Sequence, residues 1–173
     1  MKKLFLFGFL LLSGCTGIPQ GITVVDNFAL DRYLGKWYEI ARIDNRFEKG
    51  IDSATAVYSL SDDGSVKVVN SGYKVKQGKW KTVAGRGVFI DDTTKGALKV
   101  SFFGPFYASY NVIALDRESY SWSVVCGQNR SYFWILSRTP VMEQKLFDEL
   151  VGNAGSLGFD TTRIHKVLQE ERK

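Results

Sequence analysis

Between residues 37 and 140 the chain repeats one pattern: short runs of alternating apolar and polar residues, separated by turns rich in glycine and aspartate. The runs cover 37–42, 54–60, 66–73, 78–83, 87–90, 97–103, 107–115, 121–126 and 132–136. Asp62-Asp63-Gly64, Asp91-Asp92 and Lys95-Gly96 punctuate them as turn formers. Connections this short favour antiparallel hairpins, and roughly eight consecutive hairpin strands lose their exposed edges best by closing into an up-and-down barrel. Twelve Phe, eight Tyr and four Trp beside 17 Gly suit an all-β chain with many turns. The period changes after Pro140. Met142, Leu146, Phe147 and Leu150 recur at helical spacing, with Gly152 and Gly155 beyond them, which predicts one amphipathic helix packed outside the barrel. Residues 164–168 read as a last short strand. At 173 residues the whole is one domain, expected to span 26–173.

The N-terminus is of another kind. Lys2 and Lys3 precede a nine-residue apolar run, 4–12, too short to cross a bilayer but suited to a signal peptide over 1–14. The run ends in Leu12-Ser13-Gly14-Cys15, which resembles the bacterial lipobox. That resemblance implies cleavage before Cys15 and acylation of the cysteine. With Thr16 and Gly17 following instead of an acidic residue, it also implies sorting to the outer membrane. Residues 15–25, with Gly17, Pro19 and Gly21, read as a lipidated start and short tether. Loss of Lys2 and Lys3 leaves 21 basic side chains against 18 acidic ones, scattered rather than clustered, which argues against nucleic acid. With Cys15 acylated, Cys126 has no intramolecular partner; a buried free thiol and an intermolecular bridge are the two readings. One histidine and two cysteines exclude most His/Cys metal sites, and no cofactor is implied.

Gly35-Lys36-Trp37-Tyr38-Glu39 carries a G-x-W signature, and Ser137-Arg138-Thr139-Pro140 follows a strand a hundred residues later. Leu115-Asp116-Arg117 keeps only the aspartate of a middle motif. Together these resemble the three motifs of the lipocalins. The likeness extends through residues 33–42, 99–107 and 134–140. It implies an eight-stranded antiparallel barrel, closed at one end, that takes fatty acids or lysophospholipids.

An eight-stranded barrel is wide enough for side chains or one small ligand, and alternation decides which residues face inward. With Trp37 inward, Glu39 and Ala41 share its face; with Arg138 inward, so do Leu136, Trp134 and Tyr132. The resemblance further implies an inward register for Tyr58 and Leu60, Val68 and Asn70, Leu98, Val100 and Phe102, and Tyr110 and Val112, with Lys99 and Ser101 outside. The expected ligand contacts are Tyr58, Asn70, Val100, Phe102, Tyr110, Trp134 and Leu136. Gly35, Trp37, Glu39 and Arg138 are expected to form the structural base, with the Arg138 guanidinium over the Trp37 indole. The apolar loop Gly104-Pro105-Phe106-Tyr107 has three readings: a membrane contact, a contact with a second subunit in a homodimer, or a fold over the barrel rim. Nucleophilic catalysis finds little support, since Cys126 has no evident base and His165 is remote from it in sequence. A lipid carrier, a lipid-modifying enzyme and an envelope lipoprotein with a filled barrel are the competing functions.

Overall fold

A computed structural model of the chain describes residues 16–46 and 48–170. It contains the strands β1 (Gly35–Ile43), β2 (Ile51–Leu60), β3 (Val66–Lys74), β4 (Lys79–Phe89), β5 (Ala97–Phe103), β6 (Phe106–Leu115), β7 (Trp122–Cys126), β8 (Phe133–Ser137) and β9 (Ile164–Lys166). Two α-helices, α1 (Leu30–Tyr33) and α2 (Gln144–Ser156), complete it. Strands β2 to β8 pair antiparallel in chain order, and β1 closes the barrel by pairing with both β2 and β8. The Gly35, Val66 and Leu115 ends of their strands define a base, which α1 stops. The Lys74–Lys79 and Phe103–Phe106 hairpins stand at the open end.

Nine alternating runs yield eight barrel strands because 78–83 and 87–90 are halves of β4. Gly85 does not break the strand; it makes room. A Cβ there would fall 2.7 Å from the Phe102 ring. Helix α2 likewise runs through Gly152 and Gly155 instead of stopping before them, and Met142 lies ahead of its first turn.

Burial divides into two cores, one on each face of the sheet. Trp37, Tyr58, Val68, Leu98, Val112 and Leu136 fill the lower barrel. Ile40, Ile43, Phe133 and Ile135 pack outside it, against Leu150 and Ala154 of α2. The helix covers the one stretch of wall that is apolar on both faces, which is what keeps it in place.

The wall has a seam. The lower half of β1 pairs with β2 through Tyr38↔Thr55, but its upper half pairs with β9, from Ala41↔Lys166 to Ile43↔Ile164. Bulges between Glu39 and Ala41, and between Asp52 and Thr55, splay the two strands apart. The C-terminal segment fills the gap. Val167 N donates to Ile40 O at 2.9 Å, and Ser53 N donates to Leu168 O at 2.7 Å. Gln169 Nε2 donates to Glu39 O at 2.8 Å and to Ala54 O at 2.9 Å.

The described part of the expected tether is not loose. Val25 N donates to Val112 O at 2.9 Å and Gly96 N donates to Val25 O at 2.8 Å, while Ile22 is buried in the outer core. Ile22 packs in the outer core and Val25 in the inner one, two apolar contacts too few to register as periodicity.

Candidate functional site

The lumen is built in layers, beginning at the base. Trp37 is fully buried, and the Arg138 guanidinium carbon lies 3.9 Å from its ring centroid. Arg138 also donates to Arg32 O at 2.7 Å, Lys36 O at 3.0 Å and Tyr120 O at 3.3 Å, binding α1 and the β6–β7 turn to the barrel floor. Trp37 Nε1 donates to Tyr33 O at 2.8 Å. Gly35 takes φ +93°, and a Cβ there would meet Arg138 Nη1 at 3.4 Å, so the first motif needs glycine on both counts. The aspartate of the middle motif, Asp116, accepts from the backbone N–H groups of Glu118, Ser119 and Ser121 and from both serine hydroxyls. Burial opposes its ionisation, but these bonds outweigh it and hold its carboxyl well below the usual carboxylate range.

Above the plug sits a layer of hydroxyls. Tyr110 Oη is 2.8 Å from Tyr33 Oη and 2.9 Å from Tyr58 Oη, and Tyr33 Oη is 3.1 Å from Ser123 Oγ. Burial pushes the Tyr33 phenol up to about 12 and raises those of Tyr58 and Tyr110. The layer therefore stays neutral and donates hydrogen bonds without carrying charge. Tyr58, Val100 and Tyr110 line a cavity of only about 10 Å³, room for about one water. Leu136 belongs to the same packed core. The lower half of the barrel is full.

The upper half is different. Phe102 lies over Gly85, and Trp134 stacks on Tyr132 with centroids 6.2 Å apart. Asn70, on the same face of β3 as Val68, buries an Oδ1 with no protein partner among the described residues. Arg42 sits opposite Trp134, fully buried. Its guanidinium donates to Glu39 Oε1 at 2.7 Å, Asp44 Oδ1 at 2.9 Å, and the carbonyls of Glu48 and Ile51, each at 2.9 Å. Trp134 Nε1 donates to Glu48 Oε2 at 3.1 Å. Burial, with the Glu48 carboxylate nearby, outweighs Arg42 and raises the Glu39 carboxyl above the ordinary carboxylate range.

Three inward assignments need correction. The bulge after Glu39 turns Ala41 to the outer core and brings Arg42 inside in its place. Strict alternation hid Arg42; a cation three residues from Glu39 in an otherwise apolar strand was the signal. Glu39 thus lies with Arg42 in the upper lumen rather than at the base plug. Leu60, the last residue of β2, is 59% exposed because the barrel ends there and no wall faces it. Ser101 is on the outer face as expected, but buried. Cys126 packs in the outer core away from the lumen, where burial pushes its thiol up to about 11. His165 Nε2 lies 3.4 Å from Asp44 at the mouth. Cys15 falls outside the described residues.

A model of the lipocalin-like domain matches residues 28–169. The chain belongs to the lipocalin family. This lipocalin is 46% identical to the outer membrane lipoprotein Blc of Vibrio cholerae over 171 residues, covering 98% of this chain and all of that one. It is 52% identical to the protein of the same name from Escherichia coli K12 over 151 residues, 87% of this chain and 85% of that one. Apolipoprotein D of Macaca fascicularis is 32% identical over 165 residues, 92% and 84% of the two chains. Among solved structures, insecticyanin from the tobacco hornworm Manduca sexta superposes with a TM-score of 0.72 at 21% identity, covering 90% of this chain and 88% of that one. This lipocalin is accordingly an outer-membrane lipoprotein of a family that binds small hydrophobic ligands.

Proposed function

We propose that this lipocalin holds a single-chain lipid, a fatty acid or a lysophospholipid, in the upper half of its barrel, and stores or carries it in the bacterial envelope. Acyl chains on Cys15 tie it to the outer membrane. The observation that carries the reading is the contrast within the lumen. At the base Tyr58 and Leu136 are buried beside a cavity of only about 10 Å³, while above the hydroxyl layer Phe102, Trp134 and Ala56 are only partly buried. A narrow apolar shaft open at one end takes a chain, and its floor sets how far the chain enters. Tyr58, Tyr110, Val100 and Leu136 form that floor; Asn70, Phe102 and Trp134 touch the chain's flank. Arg42 is engaged by the Asp44 carboxylate and by the carbonyls of Glu48 and Ile51, so among the described residues of the lumen no unengaged cation demands an anionic head, and head-group preference is mild.

Titration with fatty acids and lysophospholipids of graded length tests this, read by tryptophan fluorescence in wild type and Trp134→Phe. Affinity should rise by about 0.8 kcal/mol per methylene and then level off when the shaft is full. The Trp134→Phe protein should lose the spectral change. A flat response at every length, with no lipid recovered by mass spectrometry, would leave a filled barrel and defeat the proposal.

A further inference from the structure

The open rim is apolar on one side. Val75 and Trp80 on the β3–β4 hairpin are about half exposed, and Phe103 and Phe106 on the adjacent β5–β6 hairpin are 74% and 66% exposed. Lysines interleave with them: Lys76, Lys79 and Lys81 are exposed beside Val75 and Trp80. From Val66 to Phe89 the chain carries six basic side chains and no acidic one. Clustered exposed aromatics mark an interaction surface. Aromatics among lysines are the composition of a surface that lies in the headgroup region of an anionic bilayer.

The path of the N-terminal segment identifies the partner. It leaves the base at Phe28, whose N–H donates to Thr94 O, passes Val112 at Val25, and climbs the outside of the barrel. Near the open end Arg130, in the β7–β8 loop, donates to Gln20 O at 2.8 Å. Gly17 N donates to Ser109 Oγ at 2.7 Å, and Asn111 Nδ2 donates to Gly17 O at 3.0 Å. Ser109 is three strand residues from Phe106, about 10 Å. Cys15 is two residues before Gly17, a reach of about 7 Å at most. The anchor therefore leaves the barrel at the end that carries the exposed aromatics, not at the plugged base.

We propose that the mouth of the barrel docks on the leaflet that holds the anchor, with Trp80, Phe103 and Phe106 among the lipid chains and Lys76, Lys79 and Lys81 on anionic phosphate headgroups. The inference rests on acylation of Cys15. Docked this way, the lumen opens into the hydrocarbon, and a lipid enters or leaves it without its chain passing through water.

The test uses the acylated full-length protein reconstituted in vesicles of phosphatidylethanolamine and phosphatidylglycerol with brominated acyl chains, which quench tryptophan on contact. Of the four tryptophans, only Trp80 stands exposed on the rim. Wild-type emission should be quenched, and Trp80→Phe should remove most of the quenched component while the protein still floats with the vesicles. Phe103→Ser with Phe106→Ser, both at exposed positions that the barrel does not need for packing, should cut the Trp80 quenching several-fold. Acylated, floating protein in which wild type and Trp80→Phe quench alike overturns the docking alone; a second copy covering the rim would give this result, since it shields Trp80 from lipid. Absence of acyl mass on Cys15 overturns the anchoring, and the docking with it.

Discussion

The guanidinium of Arg138 lies 3.9 Å above the indole of Trp37, and its three carbonyl acceptors belong to Arg32, Lys36 and Tyr120. One side chain thus closes the base from outside while the other fills it from within. Trp37→Ala should cost about 3–5 kcal/mol in denaturant unfolding, because it empties a site with no exposure. Arg138→Lys should recover little of the loss of Arg138→Ala, since an ammonium cannot span three carbonyls or lie flat on the ring. Gly35→Ala should destabilise through its positive φ and the approach to Arg138. Wild-type stability in Trp37→Ala would refute the plug.

Glu39 makes stability depend on pH in a stated direction. Its carboxyl is raised in the folded state, so the folded protein binds more protons than the unfolded chain above pH ~4.3, the ordinary glutamate value. Its contribution is full below that value and is lost as pH rises toward the raised folded value. Unfolding midpoints should fall between about pH 5 and 8, and Glu39→Gln should flatten that slope. An unchanged slope in Glu39→Gln would assign the dependence elsewhere.

Asn70 presents a buried acceptor to an apolar lumen. A ligand carrying a hydroxyl at that depth satisfies it, whereas a plain acyl chain leaves it unpaired. Asn70→Leu should therefore tighten binding of unsubstituted fatty acids and weaken binding of mid-chain hydroxylated ones, shifting their affinity ratio by about fivefold, as expected for one hydrogen bond of about 1 kcal/mol. Isothermal titration with the two ligand types measures the ratio.

Gln169 joins two strands that do not pair with each other at that height. Gln169→Ala should cost about 1–2 kcal/mol by leaving the Glu39 and Ala54 carbonyls unpaired. A chain ending at Lys166 should open the upper seam, seen as faster exchange of the Ser53 amide, which loses its Leu168 acceptor, while the base strands stay protected. Uniform protection in the truncated chain would show that β1 and β2 close without help.

Much of this architecture was legible because the lipocalin motifs sit where the strands must be held: Gly35 and Trp37 at the start of β1, and Arg138 just past the end of β8, stacked against them at the base. The inward register that the lipocalin resemblance implied for Tyr58, Val68, Leu98, Val100 and Val112 matches their place in the inner core, because alternation is regular along their strands there. Alternation failed at Ala41 and Arg42, where a bulge adds one residue and inverts every side chain beyond it, and only the cation three residues from Glu39 pointed to it. It split β4 at Gly85 because a glycine that ends a strand and one that admits a neighbouring ring look the same in one dimension. The grip of residues 17–25 on the wall was hidden for another reason: Gly17 and Val25 bond to Ser109 and Val112, some 90 residues away.

The seam beside β1 also sets an order of events in biosynthesis. The residues that complete the wall, 164–170, follow every barrel strand in the chain and are made after all of them. Until they arrive, β1 has β8 on one flank and an unfilled gap on the other, and the upper shaft stays split along its length. A chain made from its N-terminus can therefore plug its base with Trp37 and Arg138 before its upper wall can close. The base and the mouth of one barrel are thus finished at different times, the mouth only once residues 164–170 have emerged.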